Sequence, residues 1–284
     1  MRPVKIISDS TCDLSPEQIK DLDIEIMPLY INIKDKSFKD NVDITVPDLY
    51  RYVEEDKVLP KTSAIGIQDY IDTFKAWIDR GYDIVFTGIS GGLSSSHNNS
   101  RLAIEELGAE DKVFSVDSKN LSTGIGLLLL KACEKRDMGA SASMVAEYMK
   151  SFVERVKSQF VIDRFDYLYK GGRCSSMARI FGTMLKIKPL ITVRDGKMTV
   201  AEKPHGKKIK GLDALLRFLE RDKDKLDLDH VFVTHTYADE DAKYLVEKIK
   251  AGYNFKNIYV TNAGSTIASH CGPGTIGILY IVNE

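Results

Sequence analysis

The 284 residues are 43% hydrophobic and 29% charged, the proportions of a globular protein with room for two ordinary domains. With 40 basic against 41 acidic residues the net charge is −1, which offers no general attraction to nucleic acid or to an anionic membrane surface. No run of about 18 apolar residues occurs, so no stable membrane insertion is expected. Asp9 interrupts the first apolar stretch too early for a secretory signal. The four cysteines, Cys12, Cys133, Cys174 and Cys271, form no CxxC pair and no zinc spacing. Free thiols, a cytoplasmic location and no bound metal are the simplest reading.

Strand and helix signals alternate through the first half. Val4 to Ser8 is a short apolar strand, and Ser15-Pro16-Glu17 starts a helix, with Ser at the cap and Pro in the first turn. A second strand is expected over Ile26 to Ile33, then a helix from Asp48 to Glu55. Ile67, Tyr70, Ile71, Phe74, Trp77 and Ile78 recur at helical spacing, and Gly81 ends that helix. Strands follow at Ile84 to Ile89 and Val113 to Val116, separated by a helix from Asn98 to Leu107. A helix over Ser122 to Lys135 comes next. This alternation predicts a parallel sheet with helices on both faces.

Ser141 to Ser158 is expected as one long amphipathic helix joining two domains, 1–157 and 158–284. Pro189 to Val193 and Met198 to Glu202 flank Arg194-Asp195-Gly196-Lys197, and Asp-Gly suits the tight turn of a hairpin. A helix (Lys207 to Arg221), a strand (Val231 to His235), a helix (Glu240 to Ala251) and strands at Ile258 to Thr261 and Ile276 to Val282 complete the chain. The fold class is therefore α/β, with a parallel sheet first and a mixed sheet second.

Several polar clusters stand at the ends of these elements. Gly91-Gly92-Leu93-Ser94-Ser95-Ser96 joins a strand to a helix, where free N–H groups and hydroxyls can cradle an oxyanion. It is neither a P-loop nor the nucleophile elbow of hydrolases. Asp9-Ser10-Thr11 follows the first strand, and Asp9 reads better as a turn or cap residue than as a ligand. Lys61-Thr62-Ser63 either caps the Ile67 helix or holds one oxygen of an anion. Gly171-Gly172-Arg173 opens an apolar segment, Met177 to Leu185, which is either a plain core helix or a tunnel wall. His270 precedes Gly272-Pro273-Gly274, a rigid turn that would fix the imidazole in one orientation. His235 is a weaker candidate at a strand end, while His97, His205 and His230 have surface contexts.

These clusters together resemble the DegV family, which includes the FakB-type bacterial fatty acid-binding proteins. The residues that carry the resemblance are Asp9-Ser10-Thr11-Cys12-Asp13-Leu14, Thr62-Ser63, Gly92-Leu93-Ser94, Asp117-Ser118, Gly171-Gly172-Arg173, Ile187-Lys188-Pro189 with Asp195-Gly196, and His270-Cys271-Gly272-Pro273-Gly274. They lie in family order from about Val4 to the C-terminus. The resemblance implies a two-domain α/β protein that buries one long-chain fatty acid and needs no cofactor. It implies Thr62 and Ser94 as the carboxylate hydroxyls, with Ser63, Ser95 and His270 beside them. Ile180, Phe181 and Met184 are the expected tunnel lining. It further implies presentation of the carboxylate to a separate ATP-dependent fatty acid kinase subunit, which makes an acyl phosphate for phospholipid synthesis.

Two departures stand out. Many members have Thr-Ser-Gln-Pro-Ser where this chain has Thr62-Ser63-Ala64-Ile65-Gly66. Many carry an Arg, implicated in docking the kinase, where this chain has Lys203-Pro204-His205-Gly206-Lys207-Lys208. Chemically, neutral hydroxyls satisfy a buried carboxylate while leaving it a phosphate acceptor, which favours Ser, Thr and His over Arg around the head group. The competing readings are an enzyme in which the Ser/His cluster performs hydrolysis or phosphoryl transfer unaided, and a sensor of some other small acid.

Overall fold

The computed structural model describes residues 2–177 and 187–283. In chain order, β1 (Val4–Asp9) and α1 (Pro16–Asp21) are followed by β2 (Ile24–Met27), β3 (Tyr30–Ile33), β4 (Lys36–Lys39), α2 (Val46–Asp56) and β5 (Lys61–Ser63). Then come α3 (Ile67–Asp79), β6 (Asp83–Gly88), α4 (Ser96–Leu107), β7 (Val113–Asp117), α5 (Thr123–Asp137) and α6 (Ala142–Phe152). The remainder holds β8 (Val156–Val161), α7 (Phe165–Gly171), β9 (Leu190–Arg194), β10 (Lys197–Glu202), α8 (Ile209–Arg221), β11 (Leu226–His235), α9 (Asp239–Gly252), β12 (Asn257–Asn262), α10 (Ser265–Cys271) and β13 (Ile276–Val282).

The first sheet has the order β2-β1-β6-β7 and is parallel throughout, as the strand–helix alternation requires. The second has the order β10-β9-β8-β13-β11-β12 and is mixed, with only β11 and β12 running parallel. The α1 start is as read: Ser15 accepts from the amide of Gln18, whose side chain returns the bond, and Pro16 occupies the first turn. Asp195 and Gly196 both have positive φ, 48° and 73°, the geometry of the expected hairpin turn.

Between the two sheets lies α5. Thr123 to Cys133 are all buried, as befits a helix covered on every side. It packs against β1 and β6 of one sheet and against β8, β11 and β13 of the other. Leu127, Leu128 and Leu129 are fully buried, and each such side chain contributes about 1.5–3 kcal/mol. One apolar cluster runs from Ile6 and Val85, through these leucines, to Phe160, Phe232 and Leu279.

Two expected elements come apart. The single strand expected over Ile26 to Ile33 is broken at Pro28, which lacks an amide donor. Its first part, β2, stays in the parallel sheet; its second, β3, pairs antiparallel with β4 and β5 in a separate small sheet. The long helix expected over Ser141 to Ser158 ends at Phe152, and after a 3-10 turn at Val153–Arg155 the chain enters β8, an interior strand of the second sheet. Val156, Ser158, Gln159, Phe160 and Val161 are buried there, so cross-strand burial overrides helical spacing. Two helices went unread, α7 and α10. In α10 the residues Ser265, Thr266, Ala268 and Ser269 are buried although small or polar, which hides its periodicity.

Candidate functional site

Thr62 reaches the site through the small sheet, where it pairs with Ile31 and its neighbour Ser63 pairs with Tyr30. Neither residue caps α3. That position belongs to Gly66, whose amide donates to Asp69 at 3.3 Å. Thr62 Oγ1 instead lies 2.8 Å from Nε2 of His270, while Ser63 Oγ accepts from Nδ2 of Asn32 at 2.7 Å.

The Gly/Ser turn behaves differently from an open amide cradle. The amide of Gly91 donates to Asp117, that of Gly92 to the Ser90 hydroxyl, and those of Leu93 and Ser94 to the Ser90 carbonyl. These four donors are thus committed within the protein. What the turn offers is hydroxyls. Ser94 Oγ accepts from the amide of Ser96 at 3.2 Å and lies 3.0 Å from its hydroxyl. Gly92 serves packing: a Cβ there would stand 2.6 Å from the carbonyl oxygen of Gly196, so its absence lets the β9–β10 turn close on the loop.

His270 is carried by α10, whose N-terminus is anchored by two buried carboxylates. Asp13 accepts from the amide of Gly264 at 2.8 Å, and Asp40 accepts from Ser265 at 2.9 Å and Thr266 at 3.3 Å. Ser122 and Ser10 donate to the same two carboxylates. Burial pushes Asp13 up to about 8 and raises Asp40 as well. Asp9 is the turn residue it was read to be, accepting from Thr11 and, at 2.8 Å, from the amide of Ile89; burial lifts it to about 6.

The imidazole of His270 owes its pose to Thr62 and to Gly171 of α7 rather than to the Gly-Pro-Gly turn alone, since any Cβ at Gly171 would overlap Nδ1. Burial, reinforced by the charge of Arg173, lowers its pKa to about 4, so the ring is neutral at pH 7. Nδ1 is buried and has no hydrogen-bond partner among the described residues. A buried N–H left without an acceptor is costly, so we assign the proton to Nε2. Nε2–H then donates to Thr62, and the hydroxyl hydrogen of Thr62 remains free to donate to a ligand oxygen.

Thr62, Ser63, Ser94, Ser95 and His270 line one cavity of about 80 Å³. Ser63 and Ser95 are exposed at its polar end, and Leu29, Ile89, Leu121 and Ile267 form an apolar floor. Ile180, Phe181 and Met184, the expected tunnel lining, lie outside the described residues. Arg173 lines this cavity too, with donors turned to the carbonyls of Gly171 and Leu93. It was visible in the sequence only as the end of a glycine motif. His235 is buried and accepts from the amide of Ala238 at 3.3 Å. His97 and His230 are half-buried rather than surface residues, bonded to Ser115 and Glu134, whereas His205 is exposed. Among the described residues, no three His, Cys, Asp or Glu side chains form a metal-holding group, and no helix is long and apolar enough to cross a membrane.

Fold and site together define an α/β protein of two large sheets and one small one, with a surface-opening pocket whose mouth is hydroxyl-rich and whose floor is apolar. The family model described as "Uncharacterised protein, DegV family" matches residues 3–283. The chain belongs to the DegV family. A DegV domain-containing protein of Clostridium acetobutylicum is 31% identical over 281 residues, 99% of each chain. A solved DegV family protein from Thermus thermophilus, described by its fatty acid binding, superposes with a TM-score of 0.90 at 26% identity, covering 99% of this chain and 100% of that one. A stearic acid-binding protein from Eubacterium ventriosum superposes with a TM-score of 0.85 at 26% identity over 98% of both chains.

Proposed function

We propose that this protein binds a long-chain fatty acid and holds its carboxylate with Thr62 and Ser94, with Ser63, Ser95 and His270 close by. The observation that carries the reading is the convergence of Thr62, Ser94 and His270, from three distant parts of the chain, on one cavity with an apolar floor. The fatty acid-binding relatives from Thermus and Eubacterium support the same ligand class. In this reading residues 1–157 supply the hydroxyls and 158–284 supply the imidazole. An acyl chain gains about 0.8 kcal/mol per buried methylene, so the tail dominates affinity and the polar mouth fixes direction.

The chain acts as a non-enzymatic, cytoplasmic carrier that offers the carboxylate to a separate ATP-dependent kinase. There a carboxylate oxygen attacks the γ-phosphorus, the bond to the β-phosphate oxygen breaks, and ADP leaves with an acyl phosphate formed. Hydroxyl donors support this role because they leave the carboxylate nucleophilic. The exposed Ser63 and Ser95 place it near the surface. Lys203 and Lys207 are exposed cations on the expected docking stretch, while Lys208 pairs with Asp241. A hydrolase acting alone would need a carboxylate orienting His270; the bare Nδ1 and the low basicity of the ring count against it.

The test is mass spectrometry of the denatured, freshly purified protein, followed by loading of the delipidated protein with palmitate or oleate. A co-purifying or stoichiometrically loaded acyl chain is expected. Absence of both overturns the reading.

A further inference from the structure

We propose that the second sheet carries a separate site for a nucleoside monophosphate, in the fork where β8 and β9 part. A cavity of about 430 Å³ lies there, within the size range of small-molecule sites, and it shares no lining residue with the hydroxyl-lined cavity. The pairing of the two strands ends at Gln159 and Thr192. Beyond that pair β8 stays with β13 as far as Val156, while β9 stays with β10 as far as Arg194.

The floor of the fork holds an acceptor that the fold leaves unserved. Gln159 is 4% exposed, and its Oε1 is buried with no hydrogen-bond partner among the described residues. The Tyr280 hydroxyl takes a hydrogen bond from the Gln159 side chain but gives its own proton to Asp222 at 2.8 Å. An unpaired buried acceptor is costly, so a donor is wanted from whatever fills the cavity.

The chemistry changes from floor to mouth. Beside Gln159 and the buried Thr192 the walls are apolar, with Val156 and Val193 buried and the ring of Phe218 half-buried. Lys157 and Arg194 stand at the mouth. Each is two residues beyond the last pair, hence on the same face as that pair and about 7 Å further along its strand. Neither has an ion-pair partner among the described residues, whereas Lys119 and Arg221 are paired with Glu154 and Glu202. Of the carboxylates that line the cavity, Glu154 is thereby neutralised, Asp222 is bonded to Tyr280, and Asp195 stands on the exposed hairpin turn. Acceptor, apolar wall and two cations, in that order, match the amine, the flat ring and the phosphate of a molecule such as AMP.

The experiment is calorimetric titration of the full chain with AMP. Parallel titrations use adenosine, inorganic phosphate and the monophosphate of purine riboside, which lacks only the amino group of AMP. Wild type, Gln159→Leu and Arg194→Ala are compared, with thermal melting to verify folding and Gln159→Met replacing an unfolded Gln159→Leu. AMP should bind saturably and more tightly than adenosine or phosphate. Loss of the amino group should cost wild type roughly tenfold in affinity and cost Gln159→Leu nothing, because the acceptor is already gone. Arg194→Ala should weaken AMP about tenfold at low salt and leave adenosine unchanged. Absence of saturable binding at millimolar AMP overturns the inference, as does binding that ignores both substitutions or an amino-group preference that survives in Gln159→Leu. Phosphate binding as tight as that of AMP also overturns it, since the fork would then hold an adventitious ion only.

Discussion

The hydroxyl of Thr62 lies 2.8 Å from Nε2 of His270, although 208 positions separate the two residues in the chain. The bond joins the small antiparallel sheet to α10, and with the proton assigned to Nε2 the Thr62 hydroxyl is free to donate outward. Thr62→Ala and Ser94→Ala should each weaken binding of a fatty acid about tenfold or more, because a hydrogen bond to a charged acceptor is worth roughly 1.5–3 kcal/mol. Titration of delipidated protein measures this; unchanged affinity in both variants would remove the proposed head-group site.

Gly171→Ala should act on the same site from the other side of the imidazole. The added methyl overlaps Nδ1 of His270, and the ring must turn away from Thr62. Overpacking of this kind costs about 1–3 kcal/mol. The expected result is a lower melting temperature together with weaker fatty acid binding, and a crystal structure of the variant should show the Thr62 contact broken.

Acid should destabilise the protein through His270. Its folded pKa, about 4, lies below the ordinary 6.5, so between those values the unfolded chain binds more protons than the folded one. This contribution is fully present above pH 6.5 and is lost as pH falls through about 4; its size is roughly 3 kcal/mol. Urea unfolding from pH 4 to pH 7 should therefore show a smaller acid loss in His270→Asn than in wild type. Parallel curves would contradict the assignment.

Asp13 should act with the opposite sign. Burial raises its folded pKa to about 8 from 3.8, so across that interval the folded state retains a proton that the unfolded chain has released. Its contribution is fully present below pH 3.8 and declines as pH rises through about 8. Asp13→Asn keeps an acceptor for the amide of Gly264 and removes the titration. Its urea midpoint should be flatter than that of wild type between pH 5 and pH 8; an equal slope would mean that Asp13 is ionised throughout.

Local signals proved readable wherever one element satisfies its own chemistry. Ser15 and Pro16 announced α1, and Asp195-Gly196 announced the β9–β10 turn, because capping and positive φ are decided within a few residues. Reading failed where packing outvoted spacing: β8 was hidden at the end of a helical pattern, and α10 by its small buried residues. The glycines of Gly91-Gly92 were legible as a special turn, but not the use made of them, since the closest partner of Gly92 is a carbonyl in a hairpin more than a hundred residues away.

By itself, then, the sequence determined the alternating elements, the parallel-then-mixed sheets and the family to which the chain belongs. It also singled out the hydroxyls and the imidazole, because residue type and short-range order are written directly in the chain. Tertiary structure alone decided that Thr62 and His270 touch, that Asp13 and Asp40 anchor α10, that Arg173 lines the cavity, and that Gly277 lets β8 approach β13 closely. Those relations arise when buried α5 draws the two sheets together, and no spacing along the chain encodes the distances that packing creates.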